Sequence, residues 1–184
     1  PLATPAQISQ AHDPHYVEAV CNGTLDAAAI RRIGFPWSPQ MVQRTLASAG
    51  ATLAATAVAL ERGSSGALAG GTHHAFYAEG SGFCVFNDIA IAIAHLRATT
   101  RLARFSVIDL DVHQGDGTAQ MFANDPNVFT LSLHGRNNFP FRKQQSTIDV
   151  PLDDHTGDDE YLHALQSVLG KAFAHNPDFV FYQS

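Results

Sequence analysis

The stretch IDLDVHQGDGTAQ, residues 108–120, sets three carboxylates and an imidazole directly after the mainly apolar run FSVI. Alternate side chains of an extended strand share a face, so Asp109, Asp111 and His113 are expected on one side. Ligands of open α/β sheets bind beyond the carboxyl ends of the strands, and aspartate oxygen together with histidine nitrogen suits Zn²⁺. The stretch therefore predicts a metal site at a strand end. The alternative is that Asp109 and Asp116 brace turns and that His113 is a buried hydrogen-bonding residue.

Helical and strand patterns alternate around this stretch. Helices are predicted at 38–63, between the N-cap Ser38 and Gly63, at 88–98 behind the N-cap Asn87, and at 158–176. Strands are predicted at 103–112, 128–134 and 178–183, with a helical turn at 118–125. The alternation predicts a three-layer α/β/α fold with a mostly parallel sheet. The apolar stripe of the last helix is expected to contain Leu162, Leu165, Leu169 and Phe173.

Composition narrows the function classes. With 45% hydrophobic and 15% charged residues, the 184-residue chain is expected to fold around a substantial core. A net charge of −6 argues against a nucleic-acid partner, and no apolar run reaches the roughly 18 residues of a membrane span. Two cysteines are too few for a disulfide framework, which favours a reducing compartment. We therefore expect a cytoplasmic protein, or a nuclear one if the source is eukaryotic. The oligomeric state stays open.

A glycine-rich segment at 63–86 has no clean periodicity and supplies the second set of candidate residues. His73 and His74 would point oppositely in a strand, so both can face one pocket only from an irregular loop, which preceding glycines permit. Gly82 lets backbone approach a ligand, and Phe83 could line a pocket. The alternatives are a chance histidine pair, and Phe83 with Phe86 as ordinary core residues.

The motifs GGTHHA, GFCVFND, VIDLDVHQGDGT and LSLH, in this order, resemble the zinc-dependent histone deacetylases. Their superfamily includes acetoin-utilisation proteins and acetylpolyamine amidohydrolases. RRIGFPWSPQ, STIDVPL and GDDEYL are most similar to the class IV branch and its bacterial relatives. The resemblance implies an arginase/deacetylase type of α/β fold, with residues 1–184 forming part of a single deacetylase-like catalytic domain. Because the chain opens on Pro1 and closes on a strand pattern, we expect a fragment truncated at both ends.

The resemblance also implies the metal sites. Asp111 and His113 match two of the three protein ligands of the zinc ion, and the third, an aspartate, is expected beyond Ser184. A monovalent cation, K⁺ or Na⁺, is expected near the same strand ends. The positions that match its surroundings are Asp109, Asp111, His113, Ser132 and Leu133.

Catalytic roles follow from the same resemblance. His74 matches the general base and then acid, and His73 the neighbour that supports it electrostatically. Asp109 and Asp116 match the carboxylates that hydrogen-bond His73 and His74 respectively. The acyl-lysine channel is expected to be formed by Gly82, Phe83 and Phe139, although NNFPF departs from the usual FPGTG around Phe139.

The implied function is zinc-dependent hydrolysis of an acetyl or other acyl group from a lysine in a protein, or from an acylated polyamine or small amide. One alternative is an arginase-like ureohydrolase with two Mn²⁺ ions, which shares the broad fold. Another is a non-catalytic relative that binds acyl-lysine. The metal content would distinguish a deacetylase from the ureohydrolase. An intact third ligand and an oxyanion-stabilising tyrosine would distinguish it from the non-catalytic relative.

Overall fold

A computed structural model describes residues 1–184, which divide into two units, Pro1–Thr100 and Arg101–Ser184. Helices make up the regular structure of the first unit. They are α1 (Pro5–Ile8), α2 (Pro14–Asn22), α3 (Ala27–Ile33), α4 (Pro39–Arg62) and α5 (Asp88–Thr99). None of the helices in the structure has the length and apolarity needed to cross a bilayer.

The two predicted helices of this unit are confirmed, and their ends follow local capping rules. The Ser38 hydroxyl accepts the Met41 amide of α4 at 3.0 Å, and Gly63 ends that helix at a φ of 86°. Asn87 caps α5 through the Ala90 amide at 2.9 Å. Helix α5 packs on α4, and its residues 88–93 are buried on every side, with Ile91 fully buried. Burial on every side is typical of a helix in the core of its unit.

The second unit is a parallel four-stranded sheet with two helices. Its strands are β1 (Phe105–Asp109), β2 (Val128–Gly135), β3 (Ile148–Leu152) and β4 (Phe179–Gln183), in the order β3-β2-β1-β4. The helices are α6 (Asp116–Met121) and α7 (Asp158–Ala174). In the register Asp109 lies opposite Ser132 on one side and Gln183 on the other. The predicted parallel sheet is confirmed, and its strand ends bring polar side chains to one edge.

The core of the second unit lies between the sheet and α7. Ile108 of β1 and Leu131 of β2 pack with the fully buried Ala172 of α7. Tyr161, Leu165, Val168 and Leu169 of the same helix pack against this cluster. The predicted stripe is therefore right for Leu165 and Leu169.

The stripe prediction is wrong for Leu162 and Phe173, which are 50% and 54% exposed. At about 100° per residue, Leu162 and Phe173 lie roughly 70° and 90° to one side of the face centred on Leu165 and Ala172. Several apolar stripes have helical spacing in this sequence, and the structure buries the one that also contains Tyr161.

One strand prediction needs correction, and one strand was not predicted. The predicted strand 103–112 ends at Asp109, so Asp111 and His113 do not share a strand face with Asp109. Strand β3 was not predicted, because Pro151 within it argues against a strand. Proline is tolerated on edge strands, and β3 is a half-buried strand at the edge of this sheet.

Candidate active site

The carboxyl end of β1 turns the chain through two consecutive side-chain-to-backbone hydrogen bonds. Asp109 is 4% exposed, and its Oδ1 accepts the amide of Asp111 at 3.1 Å. Asp111 Oδ1 in turn accepts the amide of His113 at 2.7 Å. Aspartate favours such turns because its short carboxylate reaches the amide two residues on. This local competition ends the strand at Asp109 and replaces the strand alternation predicted from the sequence.

The turn brings two potential metal ligands together. Asp111 Oδ1 lies 2.9 Å from Nδ1 of His113, and both side chains are about one-third exposed, at 33% and 39%. Two ligands of a tetrahedral zinc ion with bonds of about 2.0–2.1 Å lie about 3.3 Å apart. The present contact is a hydrogen-bond distance, and the two atoms would have to move apart by about 0.4 Å to bind one zinc ion. Residues 1–184 contain no group of three metal-binding side chains, so the third ligand stays a prediction.

Asp116 lies at the start of α6 and is 4% exposed. Its Oδ1 accepts the amide of Gly117 at 3.0 Å, close to the amino end of the helix, where a carboxylate is favoured. Asp116 therefore does brace a turn, as the alternative to a catalytic role predicted from the sequence. Its pairing with His74, and that of Asp109 with His73, stay predictions.

Gln114, which the sequence analysis missed, fixes the segment after β2. Its amide group donates to the carbonyl of Gln144 at 2.8 Å and accepts the amide of Gln144 at 2.9 Å. It also donates to Asp149 of β3 at 2.7 Å. The side chain is 1% exposed. Gln114 therefore ties residues 113–116, which contain His113 and Asp116, to a loop that lies 30 residues away in sequence.

Phe139 lies in the loop that Gln114 holds. Its ring and the imidazole of His113 are in edge-to-face contact, with centroids 6.2 Å apart at an angle of 71°. An aromatic side chain thus borders a proposed zinc ligand within the second unit, as expected for a channel residue. The neighbouring Phe141 is 90% exposed and contacts Phe139 at 6.4 Å.

The end of β2 contributes Ser132 and Leu133, both buried. The Ser132 hydroxyl is 3.0 Å from Nδ1 of His134, a buried imidazole whose pKa is lowered, chiefly by desolvation. Ser132 is the register partner of Asp109, so two of the residues expected around a monovalent cation are adjacent. Cation binding there stays a prediction. A cavity of about 350 Å³ in this unit is lined by Leu133 and His134 and by neither zinc-ligand candidate.

His73 and His74 form the candidate proton-transfer pair of the first unit. Both are 4% exposed, and their rings lie 4.1 Å apart at an angle of 48°. Gly70 and Gly71 precede them with φ values of 132° and 69°, in the region that glycine adopts without strain. The predicted irregular glycine loop is present and the two rings lie side by side, while the prediction that both face one pocket stays a prediction.

Asp88, at the start of α5, anchors this loop and was also missed in the sequence. Its two oxygens accept the amides of Gly71 at 3.1 Å and Thr72 at 2.8 Å. They also accept the hydroxyls of Thr72 at 2.8 Å and Thr52 at 2.6 Å. A methyl group on Gly70 would come within 2.5 Å of the same carboxylate. The residues before His73 are therefore packed directly on a buried charge, and any side chain at position 70 would displace them.

His12, in the turn between α1 and α2, supports the start of α5. It is fully buried, donates from Nδ1 to the carbonyl of Tyr77 at 3.1 Å, and accepts the amide of Asn87 at Nε2 at 2.9 Å. Burial lowers the pKa of His12 to about 4, so the ring is neutral near pH 7. No local pattern in the sequence indicated this role, because Asn87 is 75 residues away.

Gly82 and Phe83 form the tip of a tight turn. Ser81 and Cys84 exchange backbone hydrogen bonds of 3.0 and 2.8 Å, and both central residues have positive φ, 52° at Gly82 and 65° at Phe83. Type I′ turns have this pattern and favour glycine or asparagine at both positions, so Phe83 is strained there by about 1–3 kcal/mol. Its side chain is 65% exposed, whereas Phe86 is 2% exposed. The core alternative is right for Phe86 and wrong for Phe83.

Comparisons with known proteins agree with this geometry. Residues 1–184 match the family model described as the histone deacetylase domain. An uncharacterized protein of Picosynechococcus sp. is 48% identical over 183 residues, which cover 97% of this chain and 60% of that protein. The acetoin utilization protein AcuC of Bacillus subtilis is 37% identical over 130 residues, 64% of this chain and 33% of that protein.

Solved structures give the same result. The crystal structure of an HDAC homolog from Aquifex aeolicus has a TM-score of 0.85 at 26% identity and covers all of this chain and 55% of its own. An HDAC homolog complexed with SAHA has a TM-score of 0.83 at 27% identity. The arginase/deacetylase type of fold is thereby confirmed. The chain spans 60% or less of the length of these relatives.

Proposed function

The chain belongs to the histone deacetylase family, and from this premise we propose that the protein is a zinc-dependent amidohydrolase that removes an acetyl or other acyl group from lysine or a related amine. The family acts on acetylated lysine and is generally zinc-dependent. The observation that carries the proposal is the 2.9 Å approach of Asp111 Oδ1 to His113 Nδ1 at the carboxyl end of β1. Carboxylate oxygen and imidazole nitrogen match zinc in chemistry, and a widening of this contact by about 0.4 Å would give the ligand separation of a tetrahedral zinc ion.

Asp111 and His113 would hold the zinc ion together with an aspartate beyond Ser184. When bound, zinc polarises an amide carbonyl and makes water a nucleophile near neutral pH. The buried carboxylate of Asp109 accepts the amide of Asp111 and so orients this ligand. Removal of a residue that orients a metal ligand in this way typically lowers metal affinity or activity by about 10–100-fold.

His74 is assigned the proton transfers. Its imidazole would accept the proton that the attacking water loses and then donate it to the nitrogen of the leaving lysine. His73, whose ring lies 4.1 Å away, would support the charge that His74 carries between these two steps. Asp109 and Asp116 are assigned as the carboxylates that set the tautomers of His73 and His74. The near-complete burial of both imidazoles, each 4% exposed, favours such transfers because little water competes for the proton.

Gly82, Phe83 and Phe139 are assigned to the channel for the acyl-lysine side chain. The strained and exposed position of Phe83 supports this assignment, because strain of this kind persists where it serves a site. The edge-to-face contact of Phe139 with His113 supports it in the second unit. Apolar rings on such a channel suit the four methylene groups of lysine.

The monovalent cation, K⁺ or Na⁺, is assigned to the ends of β1 and β2. The supporting observation is the register pairing of Asp109 with Ser132, which brings two of the expected residues side by side. The carrier of the acyl group is proposed to be a lysine in a protein, with a polyamine or small amide as the other substrates to be tested. The cytoplasmic location stays a prediction.

The test uses the full-length protein with and without its metal. We expect one zinc per chain, hydrolysis of an acetyl-lysine peptide, and loss of both zinc and activity in Asp111→Asn. The matched control is Asp125→Asn, because Asp125 also accepts the amide two residues on, at 3.0 Å, away from any proposed ligand.

The other outcomes identify the alternatives. If the protein bound two manganese ions per chain and hydrolysed the guanidine group of arginine or a similar compound, it would be a ureohydrolase and the proposal would be wrong. Zinc binding with acyl-lysine affinity but no turnover would make the protein a non-catalytic binder. Equal zinc loss in Asp111→Asn and Asp125→Asn would refute the ligand assignment.

A further inference from the structure

The ring of Phe83 is held by the connection between α3 and α4. We propose that Gly34 and Phe35 are positioning residues that fix this ring and thereby set how tightly the channel grips the substrate lysine. The inference rests on the proposed function, which makes Phe83 a channel wall. It adds two residues that touch neither the substrate nor the metal in that proposal.

Phe83 needs outside support because little else restrains its side chain. The ring is 65% exposed, so burial does not define its rotamer. Its backbone has a φ of 65°, a conformation that bulky residues rarely adopt. A wall that is exposed on a strained turn can guide a substrate only if neighbouring residues hold both its backbone and its ring.

The backbone is held by the last turn of α3. The carbonyl of Arg32 accepts the amide of Gly82 at 3.2 Å, and the carbonyl of Ile33 accepts the amide of Phe83 at 2.7 Å. Carbonyls in the last turn of a helix have no partner within it, and here the turn that contains Phe83 supplies the missing donors. The position of the turn is thus tied to the end of α3.

The ring itself lies on Gly34. A Cβ atom at position 34 would come within 2.8 Å of Cε1 and 3.0 Å of Cδ1 of the Phe83 ring. Gly34 also has a φ of 89°, as the αL residue that ends α3. Glycine is therefore required twice, once for the helix end and once for the closeness of the ring.

Phe35 holds the ring from a second direction. The two rings make an edge-to-face contact with centroids 5.2 Å apart at 62°. Phe35 is half-buried, and the guanidinium of Arg44 lies over it at 4.9 Å from the ring centroid. Phe83 thus rests on a ring that is itself packed and capped by a cation on α4.

The consequence is a specific kinetic signature. Loss of the Phe35 contact frees the Phe83 ring to leave the channel, so the methylene groups of the bound lysine lose an apolar partner. Substrate and transition state lose this contact equally, since it is remote from the reacting amide. KM should therefore rise while kcat stays the same.

The experiment measures kcat, KM and melting temperature of the zinc-loaded full-length protein on an acetyl-lysine peptide. Phe35→Ala is expected to raise KM by roughly 2- to 12-fold, the value of one aromatic pair, with kcat within about two-fold of wild type. Phe35→Tyr keeps the ring contact and should restore the wild-type KM. The matched control is Trp37→Phe in the same connection, which removes the 2.8 Å hydrogen bond from Nε1 to the Val20 carbonyl. It should lower the melting temperature without changing KM.

A double-mutant cycle decides whether Phe35 acts through Phe83. If it does, adding Phe35→Ala to Phe83→Ala changes KM by less than about two-fold, because the contact is already gone. Additive effects, a fall in kcat, or an unchanged KM in Phe35→Ala would each overturn the proposal. Gly34→Ala should raise KM in the same way, and the Phe35 variants suffice if it does not fold. A wild-type protein without any deacylase activity would refute the proposed function itself, whereas an active one that ignores Phe35→Ala refutes only the positioning role.

Discussion

Acidification is expected to destabilise the protein through His12, the buried imidazole beneath the start of α5. Its Nε2 accepts the amide of Asn87 at 2.9 Å, and its Nδ1 donates to the carbonyl of Tyr77 at 3.1 Å. A proton on Nε2 would abolish the first bond and place a charge in an apolar pocket lined by the rings of Tyr16 and Phe86. Protonation therefore opposes the folded state.

The direction and the size of this pH effect on the free energy of unfolding follow from the pKa of His12. Burial lowers the pKa of His12 in the folded protein to about 4 from its ordinary 6.5. The unfolded chain therefore takes up the proton first as the pH falls. The stabilisation that the neutral imidazole provides is complete well above pH 6.5, decreases as the pH falls below that value, and is fully lost only below about pH 4. The difference between the two pKa values corresponds to about 3 kcal/mol in the free energy of unfolding, of which about 2 kcal/mol is already lost at pH 5.

The assay is urea unfolding of the full-length protein at pH 7 and pH 5. His12→Gln keeps a donor and an acceptor but does not titrate, so it should lose about 2 kcal/mol less than wild type between the two pH values. His15→Gln, at an exposed histidine in α2, is the matched control and should lose as much as wild type. Equal losses in wild type and His12→Gln would refute the reasoning. So would an NMR titration that places the pKa of His12 above about 6, close to its ordinary value.

Three further predictions address the site. Asp111→Ala should lose tight zinc binding, whereas Asp116→Asn should keep zinc and slow turnover by about 10–100-fold; metal analysis that finds equal zinc loss contradicts this division. His74→Ala should reduce turnover by about 10²–10⁴-fold without lowering the melting temperature, and His73→Ala should reduce it less; a stable His74→Ala enzyme with normal turnover would end the assignment. Asp88→Ala should reduce the free energy of unfolding by roughly 3 kcal/mol, because it leaves buried amides and hydroxyls without an acceptor. Unchanged urea unfolding would show that the loop does not depend on Asp88.

The sequence predicts this fold where the cause is local. Helices α4 and α5 begin and end at caps that lie within three residues of the amides they satisfy, so Ser38 and Asn87 are visible in the sequence. Strands β1, β2 and β4 are apolar runs in a parallel sheet. Strand β3 is not predicted by an apolar run, because an edge strand is only half-buried and accommodates Pro151.

The sequence predicts which side chains provide the chemistry of the candidate site, but it does not predict which other residues hold their segments in place. The residue types of the HH and DLDVH motifs indicate imidazoles and carboxylates for a metal site. His12, Asp88 and Gln114 act on segments 75, 16 and 30 residues away, and no periodicity links them to those partners. The end of β1 illustrates the same limit, because strand alternation and the turn made by Asp109 compete, and only the folded backbone shows that the turn prevails.

The carboxylate of Asp88 at this support has a physical reason. Asp88 accepts four donors with its two oxygens, from Gly71, Thr52 and both the amide and hydroxyl of Thr72. An ionised carboxylate has about four lone-pair sites and no donor, whereas an asparagine would bring two N–H donors into the same buried space. At Asn87, whose side-chain oxygen accepts the backbone amide of Ala90, a neutral amide suffices. Charged acceptors also form shorter and stronger hydrogen bonds, so the residues before His73 are held more firmly than a neutral cap would hold them. Proton transfer depends on placing donor and acceptor within hydrogen-bond reach, and buried carboxylates that fix loop amides provide that placement where regular secondary structure does not.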